Sequence, residues 1–307
     1  MNRRQFIQKS FVSGAGMTLA GCASMESASS GPIFKISLAE WSLNKALFGR
    51  VGTNMDHMEF PIVARRDYGI HAIELVNQFM MKKAQDQAYL REFKNRADGE
   101  GVKILLIMCD DEGSLGDPDP TKRRRAVENH HKWADAAKFF GCHSIRVNAA
   151  TGEAGSYEEQ QKRAADGLRT LSEYCAKLGL NCIVENHGHL SSNGAWLAGV
   201  MRIVNLPNCG TLPDFGNFQI SPGKWYDRYQ GVREMMPYAK AVSAKSNDFD
   251  AQGNCVETDY RRMLKIVLDA GYHGYLGIEY EGEKLSEPDG IRATKRLLDR
   301  LLIEMKA

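Results

Sequence analysis

The chain has little net charge of either sign. Its 307 residues carry 40 Lys and Arg against 38 Asp and Glu, a formal charge of +2. Arg3, Arg4 and Lys9 supply three of the basic groups, so the remainder is close to neutral. That balance excludes the basic surface by which nucleic acid or an anionic membrane is held. The run "KRRR" at 122–125 then reads as a solvated helix face. No CxxC pair occurs. Beyond Cys22 there are six cysteines, and Cys109, Cys142, Cys182 and Cys209 fall in or beside strand-like runs. Buried free thiols are expected rather than disulfides. No GxGxxG follows an early strand, which counts against an open dinucleotide-binding sheet, and no glycine-rich phosphate cradle stands out.

What is present begins with "MNRRQFIQKSFVSGAGMTLAGC": a basic start, an apolar stretch at 11–20 and small residues before Cys22. This is the layout of an export signal, and its apolar part is too short to span a membrane. Arg3 and Arg4 followed by Phe6 and Ile7 resemble a twin-arginine signal. Leu19-Ala20-Gly21-Cys22 resembles a bacterial lipobox, in which Cys22 carries the lipid. A Sec-type signal with an unmodified Cys22 is the alternative. The expected organisation is an export signal at 1–21, a small, polar, flexible tether at 22–32 and one folded domain at 33–307. The domain is expected in the periplasm, touching the membrane only through a lipid anchor at Cys22.

From residue 33 onward, short β-rich runs alternate with longer helical patterns. Strands are predicted at 34–39, 71–76, 102–108, 144–148, 181–185, 209–213, 241–245 and 274–280. Helices are predicted to stop at Gly141, Gly179 and Gly271. Others are predicted to open after Ser156, which caps a first turn rich in acid, and at Thr258. Eight β-then-α units in one chain of this length predict an α/β fold, a single-domain (β/α)8 TIM barrel.

In such barrels functional groups stand at the C-terminal ends of the strands. Strand five runs as "NCIVENHGHL" from apolar residues straight into Glu185. Strand six leads to Asp214 and strand eight carries Glu279. A surface ion pair would explain any one of these alone. Three carboxylates aimed into one mouth repel each other in a low-dielectric cleft, and stay ionised together only around a cation. An all-oxygen donor set of this kind suits a hard or borderline divalent metal. Mn²⁺ is the first expectation, with Mg²⁺, Co²⁺ or Zn²⁺ as alternatives.

The segments "ENHG", "LPDFGNF", "VSAKSNDFD" and "GYLGIEYEG", in this order, resemble the xylose isomerase-like TIM-barrel superfamily, the sugar phosphate isomerase/epimerase group. The resemblance covers about residues 33–306. It implies a divalent metal held by Glu, Asp, His and Glu from strands five to eight. Glu185, Asp214 and Glu279 match three of those positions. Strand seven commonly reads His-x-His in that group, and Ser243 stands here at the usual histidine position.

Lys245 follows Ser243 by two residues and so faces the same side of its strand. With three carboxylates and a divalent ion it brings the local charge to zero. Desolvated beside a cation, it would alternatively be a neutral base; bonded to Asp248, it would be only a rim lysine. His187 shares the face of Glu185 and is a candidate fourth ligand, acid/base or sugar hydroxyl partner. Candidate substrate-binding residues are Glu74, Arg146, Asn148 and Trp41, with a Glu74–Arg146 ion pair as the alternative for Glu74. His130 and His131 are expected to face solvent.

These residues lead to a metal-dependent enzyme that takes a proton from beside a carbonyl of a carbohydrate, with Glu185, Glu279, Lys245 and His187 as catalytic candidates. Isomerisation or epimerisation is the leading outcome. A lyase acting on oxidised (3-keto) glycosides is the alternative within the same chemistry. A lipid-anchored, non-catalytic carbohydrate-binding barrel is the alternative of another class.

Overall fold

A computed structural model describes residues 31–306 apart from Thr53. The expected signal at 1–21, Cys22 and most of the tether lie outside the described residues. Pro32–Ala307 forms one compact unit.

Eight parallel strands alternate with helices around this unit. They are β1 (Lys35–Ala39), β2 (Ala72–Val76), β3 (Lys103–Met108), β4 (Ser144–Asn148), β5 (Asn181–Glu185), β6 (Cys209–Leu212), β7 (Val242–Ser246) and β8 (Tyr275–Tyr280). Each lies within a residue or so of its predicted span. The hydrogen-bonded order is β6-β5-β4-β3-β2-β1-β8-β7. Its two edges meet through isolated parallel bridges, Thr211 with Ala239 and Asp214 with Ser243. The barrel is therefore joined at β6 and β7 by two single bridges, and the second of them lies at the mouth.

The outer helices are α1 (Phe60–Tyr68), α2 (Gln87–Gly99), α3 (Pro120–Phe140), α4 (Tyr157–Leu178), α5 (Gly194–Val204), α6 (Arg228–Met235), α7 (Tyr260–Asp269) and α8 (Glu287–Glu304). Helix α4 opens with a full capping box between Ser156 and Glu159. It closes at Gly179 and α3 closes at Gly141, both with φ above +70°, a conformation that costs glycine nothing. Helix α7 departs from expectation: Asp259, not Thr258, accepts the capping bond from Arg262 N, because the carboxylate reaches the orphan N–H from one residue nearer. None of the described helices is long and apolar enough to cross a membrane.

Strand parity divides the core in two. Outward-facing Cys182 and Val184 join the large apolar layer between strands and helices, whereas inward-facing Ile183 packs with Leu106, Met108 and Leu212 inside the barrel. All six described cysteines are free and buried in the outer layer, as the sequence leads one to expect. The two helix histidines do not face solvent as expected. His130 is 2% exposed, with Nδ1 2.7 Å from Ala126 O, and His131 stacks on Tyr174 at 3.7 Å between ring centroids. Half-buried His131 meets Tyr174 where α3 packs along α4, whereas His130 is buried against a turn of its own helix.

A short hairpin, Gln219–Ser221 with Lys224–Trp225, rises from the loop between β6 and α6 and has no counterpart in the predicted strands.

Candidate metal and substrate site

Inside the barrel, above the Leu106–Ile183–Leu212 plug, the strands turn polar. Glu185 and Asp214 are fully buried and Glu279 is 3% exposed. One carboxylate oxygen from each lies within 4.8 Å of the other two. β5 contributes its last residue and β8 its fifth, and Asp214 lies two residues past the end of β6. Two consecutive strands, β5 and β6, and the last strand, β8, thus deliver one cluster.

Ser243, at the strand-seven position, joins two of the three. Its Oγ lies 2.7 Å from Asp214 Oδ2 and 2.9 Å from Glu279 Oε2. A hydroxyl has one hydrogen, so it donates to only one of the two carboxylates at a time. The two carboxylates titrate apart. Burial, only partly offset by Lys245, pushes Asp214 up to about 7. Burial also pushes against ionised Glu279, but Lys245 and Arg146 outweigh it and hold Glu279 below the ordinary glutamate range. Of the two, Asp214 takes up a proton the more readily and Glu279 is the one that stays ionised.

Glu185 is held differently. Its Oε1 accepts from Asn217 Nδ2 at 2.8 Å. Its Oε2 lies 2.5 Å from Arg146 Nε, off the N–H direction, so the contact is one of charge and that oxygen has no hydrogen-bond partner. Burial pushes Glu185 up to about 7 despite Arg146.

Lys245 is 5% exposed and charged. Burial opposes its ammonium, but Asp214, Glu279 and Glu281 together hold its pKa well above the ordinary lysine value. Nζ lies 3.1 Å from Glu279 Oε1, 3.0 Å from Glu281 Oε2 and 3.2 Å from Asn217 Oδ1. The rim lysine does not describe it. Asp248 pairs with Lys284 instead, because Lys245 points inward into a nest of anions. Gly216 leaves room for that path, since a Cβ there would come within 2.8 Å of Lys245 Cδ.

A cavity of about 290 Å³ opens above the cluster, bounded by Trp41, Asp110, Arg146, Asn148, His187, Glu279 and Glu281 among others. Arg146 Nη1 and Asn148 Nδ2 both donate to Asp110 Oδ1, at 2.8 and 2.7 Å. Burial pushes Asp110 up, but the Arg146 charge and hydrogen bond carry it below the ordinary range. Trp41 Nε1 donates to Glu281 Oε1 at 2.5 Å, which sets the indole at the rim. His187 lines the cavity with its pKa lowered by burial and by the Arg146 and Lys245 charges, so it is a neutral imidazole. It does not belong to the cluster of mutually close donor atoms, which holds only the three carboxylates among the described residues; the fourth-ligand expectation for it is not met.

Glu74 departs from both of its expectations. It accepts from Ser37 Oγ at 2.6 Å and is 1% exposed. It does not line the cavity, and Arg146 is engaged with Asp110 and Glu185 instead. Burial, only partly offset by the Ser37 bond, pushes Glu74 up to about 7. The strand-two carboxyl sits a layer too deep to meet either partner.

Three residues at the site were not singled out from sequence: Asp110, Asn217 and Glu281. Two carried a legible signal. Asp110 follows a strand end just as Glu185 closes one, and Glu281 shares parity with Glu279. Asn217 did not, since its bond to Glu185 depends on where the loop after β6 folds.

The donor set fits a divalent cation. Glu185, Asp214, Glu279, Asp110 and Glu281 crowd around only Arg146 and Lys245. Glu185 Oε2 is buried and accepts no hydrogen bond, meeting only the Arg146 charge, and an oxygen-only set is the chemistry hard cations prefer.

Fold and site together define a (β/α)8 barrel with a buried acidic cluster in its mouth. The family profile described as xylose isomerase-like TIM barrel matches residues 63–301, and the chain belongs to that family. No curated protein matches the chain in sequence. Among solved structures it is similar to an L-ribulose 3-epimerase, at 15% identity and a TM-score of 0.69, covering 89% of this chain and 96% of that one. It is similar to the 3-keto-D-glucoside 4-epimerase of E. coli, at 16% identity and a TM-score of 0.61, covering 87% and 99%. A family member from Mycobacterium smegmatis in complex with magnesium gives 17% identity and a TM-score of 0.65, covering 88% and 97%. At these identities the likeness establishes the fold.

Proposed function

We propose that the barrel is a divalent-metal-dependent enzyme of the sugar isomerase/epimerase type, moving a proton beside a carbonyl of a carbohydrate. The observation that carries this is the Glu185–Asp214–Glu279 cluster, buried under a sugar-sized cavity. Similar folds in sugar epimerases and in a magnesium-bound relative support it.

Glu185, Asp214 and Glu279 would hold the ion, which supplies polarisation of a carbonyl and its neighbouring hydroxyl. The other steps fall to the chain. Glu279 is ionised and faces the cavity, so it suits the base that takes the proton. Once protonated, Glu279 can return the proton at the neighbouring carbon, and His187, neutral and on the same wall, accepts a hydrogen bond from a substrate hydroxyl. Arg146 and Asn148, fixed by Asp110, orient hydroxyls. Lys245 keeps Glu279 charged and places a fixed positive charge where negative charge develops. Trp41 closes the rim against water.

A lyase acting on oxidised (3-keto) glycosides begins with the same abstraction and ends by losing the substituent β to the carbonyl. The Met1–Cys22 sequence supports an exported lipoprotein facing the periplasm. Mass spectrometry of the membrane fraction checks the lipid on Cys22, and an unmodified soluble chain removes the anchor.

The central test is exchange of substrate C–H for deuterium in D₂O across a panel of keto-sugars and 3-keto-glycosides, with Mn²⁺ added. Exchange that stops with chelator and in Glu185→Gln is expected. Bound sugar with no exchange would leave a carbohydrate-binding barrel. Loss of the β substituent in place of a rearranged sugar would assign the lyase.

A further inference from the structure

We infer that the site takes a glycoside of at least two units, with the unit beyond the reacting ring stacked on Trp225. This rests on the carbohydrate function proposed above and narrows its substrate class.

The central cavity, about 290 Å³, is at the small end of ligand-binding clefts, which run to about 1,000 Å³. One ring fills it. Two further hollows adjoin it, and both are bounded by Trp225. One, of about 280 Å³, shares His187 with the central cavity and adds Asn217 and Gln219. The other, of about 520 Å³, shares Glu281 and adds Arg228 and Asn247. A ligand leaving the reacting ring past His187 or Glu281 therefore arrives at the same indole.

Trp225 is 57% exposed, unlike fully buried Trp133 and Trp196. An exposed indole adds nothing to a core, whereas a pyranose offers a C–H face to an aromatic plane and leaves its hydroxyls for polar neighbours. Gln219, Arg228 and Asn247 supply those neighbours.

The platform is built firmly. Phe218 is fully buried at the base of the hairpin, and Tyr226 N donates to Phe218 O at 2.8 Å. Tyr226 OH donates to Glu234 Oε2 at 2.9 Å. The hairpin also leaves directly from the loop that organises the acidic cluster: Asn217 N donates to Asp214 Oδ1 at 2.7 Å while its side chain bonds Glu185. Two residues after Asn217 the first hairpin strand begins, and Gln219 pairs with Trp225. The second unit is thus held on the same loop that holds the carboxylates over the first.

Calorimetric titration of the full folded domain with glucose and with maltose, cellobiose and trehalose tests this. At least one disaccharide should bind ten-fold or more tighter than glucose. Trp225→Ala should remove that advantage, and Trp225→Phe should restore most of it. Glucose binding with no disaccharide favoured overturns the inference and leaves the carbohydrate function standing. A disaccharide advantage that survives Trp225→Ala also overturns it. If none of these sugars binds, the inference falls, and the exchange test on keto-sugars decides the carbohydrate function separately.

Discussion

Strand β5 runs through two environments that obey opposite rules. Cys182 points outward into the layer beneath the helices, where thiols and aliphatics pack with few polar atoms to satisfy. Three residues on, Glu185 points inward and is equally buried, yet one of its oxygens has no hydrogen bond and its carboxyl is pushed up to about 7. Burial stabilises the first and strains the second. The outer layer holds the fold together, and the barrel mouth is a region the fold must tolerate. Such a concentration of strain is expected where chemistry rather than stability is served.

The sharpest way to break this contrast is at Lys245. Lys245→Met keeps much of the side chain's length but strips the cation from Glu279 and Glu281. Turnover is expected to fall by roughly 10²–10³. Losing one partner of a buried ion pair typically costs about 3–5 kcal/mol, so the chelator-treated variant should also unfold earlier in urea. Near-wild-type turnover would return Lys245 to a structural role.

A second test uses pH. Glu74 is pushed up to about 7 from an ordinary 4.5, so the folded state holds its proton more tightly than the unfolded chain. Its contribution is full below about pH 4.5 and is lost as pH rises through about 7. Glu74→Gln mimics the protonated form and should match wild type at pH 4. At pH 8 it should be the more stable by about 3 kcal/mol. Equal urea midpoints at pH 8 would show that Glu74 ionises without penalty.

The smallest effect is expected in the outer layer. Cys182→Ser replaces a thiol by a hydroxyl beside the Ser172 hydroxyl and the Cys175 thiol, at a cost of at most about 1–3 kcal/mol. The carboxylates three residues away face the other side of the strand, so kcat of the folded enzyme should stay at the wild-type level. A fall in kcat beyond two-fold would mean that the two layers are coupled.

The sequence by itself determined the eight strands, the α4 capping box, the buried thiols and the three carboxylates. Each depends on local periodicity, on end signals, or on strand parity, which repeats every two residues whatever lies across the sheet. Only the tertiary structure decided which charges meet. Arg146 lies on Asp110 and Glu185 rather than Glu74 because β2 places its carboxyl a layer deeper. Lys245 remains an ammonium because carboxylates from just past β6, from β8 and from just past β8 surround it, and His187 faces the cavity without entering the acidic cluster. Trp225 became legible only once its hairpin stood beside the mouth. A side chain's charge state and partner depend on groups tens to hundreds of residues away, and these distances are set by closing the barrel.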